Sequence, residues 1–400
     1  MSEAPAAEAE ISEETREKAR GLGWEEGLIE LALSKGHTMV EVGQALAMNI
    51  DGATAAQFLQ GEGPVFPKPS LAWMNVPTEW GIRARASDPA MGLTIGDLNV
   101  GTYGDIPDHW TNRSEIPRGA FPASVQEDMG YTIFDKAVLW ADCVVPLYET
   151  AIKDRWISAT DLNWASLEEL PDDIERAVCQ LMTELSDRAY FQSATIGSWL
   201  PEMSYGYHEV KFFLSTVIFD LARHTEAFRK RALTNGGGLG LQAPTDYNRA
   251  IKEARSFPEL ANITFVQDST LLTLFKNGEL IAQNQLERDL YAFCARDRQR
   301  LMDYHVERLK HFLFKLPERR EEQNMYFNKG EFQLAKDWSD PVVSEPLAVL
   351  LGGGKSNLEA GKEKLKELRK LQLQDYQANL AKATFYRSTL NPRMQAFLDA

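Results

Sequence analysis

Apolar residues recur every three or four positions over most of this chain, and those stretches predict its helices. Four short segments come first: Glu13–Leu22, Glu25–Ser34, Thr38–Met48 and Ala53–Gln60, separated by Gly or Asp-Gly breaks. Longer amphipathic stretches follow at Tyr131–Ile157, Asp172–Trp199, Tyr207–Leu233, Asp246–Ser256, Asn262–Asn277 and Leu280–Leu316. A last helix is predicted at Asn357–Thr389, where Leu365, Leu368, Leu371 and Leu373 are available for burial. Residues 61–130 break the pattern. Eight prolines from Pro64 to Pro122, with Trp73, Trp80 and Trp110, predict a structured irregular arm that wraps another domain or forms an interface. The expected organisation is a disordered tail at 1–11, a small helical module at 12–60, the arm at 61–130, a helical bundle at 131–316 and a C-terminal helical extension at 317–400.

Charge narrows the function classes. Lys and Arg number 43 against 58 Asp and Glu, a net charge of −15, which opposes phosphate backbones and anionic headgroups. The spacing of Leu31–Leu46 and Ala53–Leu59 is that of a helix-turn-helix, but Ala53–Gln60 carries no Lys or Arg, so no duplex DNA binding is expected. The longest apolar run, Ala137–Tyr148, is broken by Asp142 and Pro146, so no membrane span is expected. Met1–Glu14 lacks the pattern of a secretory signal, and Cys143, Cys179 and Cys294 are isolated; both features predict a cytoplasmic protein. Leu351-Gly-Gly-Gly-Lys-Ser356 lacks the leading glycine and strand of a phosphate loop, and Gly236–Gly240 lacks dinucleotide spacing; both read as loops.

Candidate chemistry sits on two of the long helices. Val210, Leu214, Val217, Leu221, His224 and Phe228 share one inner stripe; Met302, His305, Leu309 and Phe312 share another. Two histidines facing inward from two helices is what a metal site inside a bundle requires, and the two are expected to face each other. Each is followed two residues on by a glutamate, Glu226 and Glu307.

Asp220-Leu-Ala-Arg223-His224 resembles a motif of the ferritin-like di-iron carboxylate superfamily, which includes the ribonucleotide reductase small subunit and the bacterial multicomponent monooxygenases. In that family a helix carries Asp-Glu-x-Arg-His; Asp220, Arg223 and His224 match it, and Leu221 stands at the iron-binding Glu. Leu147–Trp156 and Thr160–Trp164 look like the lead-in to the first bundle helices of some members, so the resemblance covers about residues 131–315. It implies a mainly α protein built on a ferritin-like bundle. In the second motif, placed at Leu301–His305, Met302 stands at the Glu and Tyr304 at the Arg. The two other carboxylates are expected near Phe191 and Asp268, of which only Asp268 is a ligand type. Three readings follow. The leading one is a metal-poor structural subunit without a cofactor, docking in a homo-oligomer or on an oxygenase catalytic chain. The second is a self-contained monooxygenase-type oxidoreductase with one iron on His224, His305 and Asp268, and with Asp220 and Asp303 orienting the imidazoles. The third is a helical protein with an apolar pocket at Leu221, Met302 and Phe191 for a small hydrophobic ligand.

Overall fold

The computed structural model describes residues 11–37, 39–60, 74, 79–120 and 127–399. Among these residues the chain is mainly helical, and pairing of extended backbone is confined to isolated bridges, His109 with Asp135 and Ile133 with Met203. No helix of the described residues is long and apolar enough to cross a membrane. The chain divides into two compact units, 1–80 and 81–400. The tail 1–10, the arm residues 61–73, 75–78 and 121–126, and with them Trp73, lie outside the described residues.

The first unit holds α1 (Glu13–Gly21), α2 (Leu28–Ser34), α3 (Met39–Ala47) and α4 (Gly52–Gln60). Its core gathers Trp24, Leu28, Ile29, Val42, Leu46 and Leu59. Trp24 pays for its burial by donating from Nε1 to the Ile50 carbonyl at 2.8 Å.

The second unit is built on four long helices: α7 (Asp172–Trp199), α8 (His208–Thr234), α10 (Phe257–Lys276) and α11 (Gln285–Lys315). Helices α7 and α8 form one antiparallel hairpin, and α10 packs against α11. Ion pairs join α8 to α11, and hydrogen bonds join α7 to α10, closing the four into a bundle. Every residue of Phe257–Phe275 is buried, so α10 is covered on all sides. The cover on its outer side is α12 (Arg320–Trp338) and α14 (Leu358–Lys382), while α13 (Pro341–Gly352) packs on α7 and α14, and α15 (Pro392–Asp399) on α12. Phe327, Trp338, Leu347, Leu373 and Tyr376 belong to the same core as Leu221 and Phe265. Helices of 317–399 are thus part of the bundle core rather than an appended extension, because a helix with no exposed face needs neighbours all round.

The helix expected at Tyr131–Ile157 is instead α5 (Lys136–Leu139) and α6 (Val144–Lys153). The chain turns extended at Trp140, whose Nε1 donates to Asp142 at 2.7 Å. A short α9 (Asp246–Lys252) leads into α10, which starts at the Ser256 cap with Pro258 in its first turn. Of Leu351–Ser356, read as a loop, only Gly353 and Gly354 lie between helices: Leu351 and Gly352 end α13, Gly353 caps it with φ 73°, Gly354 follows at φ 128°, and Lys355 opens a 3-10 turn.

The arm residues 81–120 lie against the start of α8. Arg118 donates to the Gly206 carbonyl at 2.7 Å and to Asn99 at 2.8 Å, and pairs with the fully buried Glu209. A Cβ on Gly206 would lie 2.4 Å from the Trp110 ring, so only glycine lets that indole sit there.

Candidate functional site

The bundle interior carries charge in two adjacent networks, and each contains one of the expected histidines. In the first, α8 places Asp220, Arg223 and His224 inward, one helical turn apart; α11 places Asp297 and Arg300 opposite them with the same spacing. Arg223 Nη2 donates to Asp220 at 2.5 Å and across to Asp297 at 2.8 Å. Arg300 Nη2 mirrors this, donating to Asp297 at 2.6 Å and across to Asp220 at 2.9 Å. Two guanidinium groups thus bridge two carboxylates, and the charges cancel.

Asp297 is the hub. Its Oδ2 also accepts from Trp156 Nε1 at 2.8 Å and stands 3.0 Å from His224 Nε2. Since a carboxylate only accepts, that bond puts the imidazole proton on Nε2 and leaves Nδ1, which is buried, without a partner among the described residues. Burial pushes the His224 imidazole below its ordinary value, against the opposing pull of Asp297. Burial and then the Asp297 charge push the Asp220 carboxyl up. For Asp297 burial also acts upward, but His224 and the arginines outweigh it and hold that carboxyl well below the usual range. The Arg223 guanidinium stacks over Trp156, 4.6 Å from the ring centre.

The second network lies farther along α11, with His305 about 12 Å beyond Asp297 along the helix axis. Asp268 of α10 is fully buried and stands 2.9 Å from His305 Nε2. Gln192 of α7 donates to both Asp268 oxygens, at 3.0 and 2.9 Å. Arg298 pairs with Asp268 and donates to Gln192 Oε1 at 2.8 Å. Burial raises the Asp268 carboxyl, but Arg298 and His305 outweigh it and leave it below its ordinary value. Burial also lowers the His305 imidazole, and its Nδ1 has no hydrogen-bond partner among the described residues. One turn beyond, Arg308 is held by Asn262 and by the Val138 carbonyl, and burial lowers its guanidinium to about 10.

Several expected roles change against this geometry. His224 and His305 are both inside the bundle, but each is bonded to its own aspartate. His224, His305 and Asp268 are not brought into one site: among the described residues no group of three or more His, Cys, Asp or Glu could hold a metal ion. Asp303, expected to orient an imidazole, faces solvent and accepts from Gln299 at 2.8 Å; the exposed face of α11 carries it. Asp220 contacts arginines rather than an imidazole, and Arg223 acts through Asp297. Phe191 is only half-buried, and the residue that points inward at that level is its neighbour Gln192. Leu221 and Met302 are buried in the core. Glu226 and Glu307 lie on outer faces and pair with Lys230 and Lys310.

Asp297, Arg298, Arg300 and Gln192 were missed by the sequence reading. A signal exists for Asp297 and Arg300: Asp220-Leu-Ala-Arg223-His224 recurs as Asp297-Arg-Gln-Arg300-Leu301 with the same Asp-x-x-Arg spacing. The frame that α11 presents to α8 is therefore this one, a turn earlier than the frame expected around His305. Comparison with family models, with curated proteins and with solved structures found no match.

Proposed function

We propose that this protein is a metal-poor relative of the ferritin-like di-iron proteins that serves as a structural, docking subunit of an oxygenase complex. The observation that carries the reading is the way arginines close the bundle interior. Laid on the family pattern Asp-Glu-x-Arg-His, the two facing frames keep Asp220, Arg223, Asp297 and Arg300. They put Leu221 and Arg298 at the two iron-binding glutamates, and His224 and Leu301 at the two histidines.

The residues present do not fit a di-iron centre. Leucine is no ligand, an arginine repels a cation, and Asp268 is already committed to Arg298. The Nδ1 atoms of His224 and His305 are suitable donors, but among the described residues no group of His, Cys, Asp or Glu around them completes a coordination shell. The same absence of an assembled set weighs against the self-contained iron oxidoreductase. A small hydrophobic ligand has no support at Leu221 and Met302, both of which are packed in the core.

The test is association. The tagged protein, purified from its native cells, is expected to bring down one chain in constant ratio, and that chain should carry two intact Glu-x-x-His motifs. A protein that purifies alone, and that oxidises a substrate with a reductase and no second chain, would contradict the proposal.

A further inference from the structure

We infer that Asp268 and the amide oxygen of Gln192 form a cation site whose resident cation is the guanidinium of Arg298, with His305 holding the carboxylate from its other oxygen. A carboxylate with no exposed surface needs a compensating charge, and Asp268 sits on a helix that is buried along its length. Arg298 supplies that charge and also donates to the amide oxygen of Gln192. Gln192 and His305 fill the remaining acceptor positions of Asp268. Arg308 does not share the task, because Asn262 and a main-chain carbonyl hold it.

Around the Arg298 guanidinium stand a carboxylate oxygen of Asp268 and the amide oxygen of Gln192, oxygen donors of the kind that a divalent ion also takes. The side chain differs from an ion in one respect: it cannot dissociate. The site keeps its charge balance whatever the metal supply, and the bundle can be assembled without loading. The inference concerns the chain's own cation and holds whether or not the protein docks on an oxygenase.

Arg298→Glu exchanges the resident cation for another carboxylate. Incubated with Co(II), this variant is expected to take up about one cobalt per chain with visible ligand-field absorption. Adding Asp268→Asn should abolish that uptake, and the unaltered protein should show no Asp268-dependent uptake. A folded Arg298→Glu protein that binds no cobalt would overturn the inference, as would Asp268-dependent cobalt binding by the unaltered protein. Arg298→Ala provides a second test that needs no metal. Methylguanidinium at millimolar concentration should raise the melting temperature of that variant, while its neutral analogue methylurea should not. Equal responses to the two compounds would count against a cation site.

Discussion

Asp297→Asn removes one negative charge from the centre of the first network and leaves its shape almost intact. In the native protein the carboxylate accepts from Trp156, Arg223 and Arg300 and is bonded to His224, all within 2.6 to 3.0 Å. After the substitution two buried guanidinium groups share the single charge of Asp220. Breaking a buried pair by removing one partner costs about 3–5 kcal/mol, mainly because the other charge stays buried. Replacing Arg300 as well, with Met, removes the stranded cation, so the double variant should recover about 1–3 kcal/mol relative to the sum of the single losses. The assay is equilibrium urea unfolding followed by circular dichroism, with an unchanged m-value as the sign that only stability has moved. Asp303→Asn on the exposed face is the control and should stay within about 0.5 kcal/mol. If Asp297→Asn costs less than about 1 kcal/mol, the value of an exposed pair, the network does not hold α8 to α11 and the reasoning fails.

Two further outcomes follow from single buried groups. Leu221→Ala should cost about 2–5 kcal/mol in the same assay, and Leu221→Glu at least as much, because its carboxylate would be buried in the hydrophobic core. A Leu221→Glu protein as stable as the unaltered one would show that the position can still host a charge. Asp337, bonded to Arg188 at 3.1 Å, has its carboxyl raised by burial to about 6. Between its unfolded value and about 6 the folded chain holds more protons than the unfolded one, so this group's contribution to stability falls as pH rises through that window. Asp337→Asn should therefore gain about 2 kcal/mol relative to the unaltered protein between pH 4 and pH 7. A difference that stays flat with pH would exclude the raised carboxyl.

Helix existence was legible wherever one face is apolar and the other polar. The reading of α7 agrees with its observed ends, Asp172 and Trp199, because an acidic first turn and a long alternating stripe mark both. The start of α10 was placed five residues late, at Asn262 instead of Phe257. A helix buried all round has no polar face to give it a period, and Pro258 reads as a breaker unless Ser256 is recognised as its cap. Helices α12 and α13 went unread, although Asp340 followed by Pro341 is a helix start of the same kind.

The site was legible in part for a related reason. An inner stripe tells which way His224 and His305 point, but it does not tell which residue of another helix lies opposite. That register decides the chemistry here: it gives His224 to Asp297 and His305 to Asp268. Aligning α11 on its histidine hid the Asp-x-x-Arg frame at Asp297–Arg300, which the charged residues had marked more strongly. Gln192 is an amide at the level where the family pattern places a carboxylate, and by donating to Asp268 it serves the opposite role.

The central claim is that arginines, not metal, balance the carboxylates of this bundle, and iron content tests it most directly. The purified protein, reconstituted with Fe(II) under anaerobic conditions and then desalted, should hold well under one iron per chain by elemental analysis. His224→Ala and His305→Ala should leave that value unchanged. A content approaching one iron per chain, lost in both histidine variants, would contradict the account.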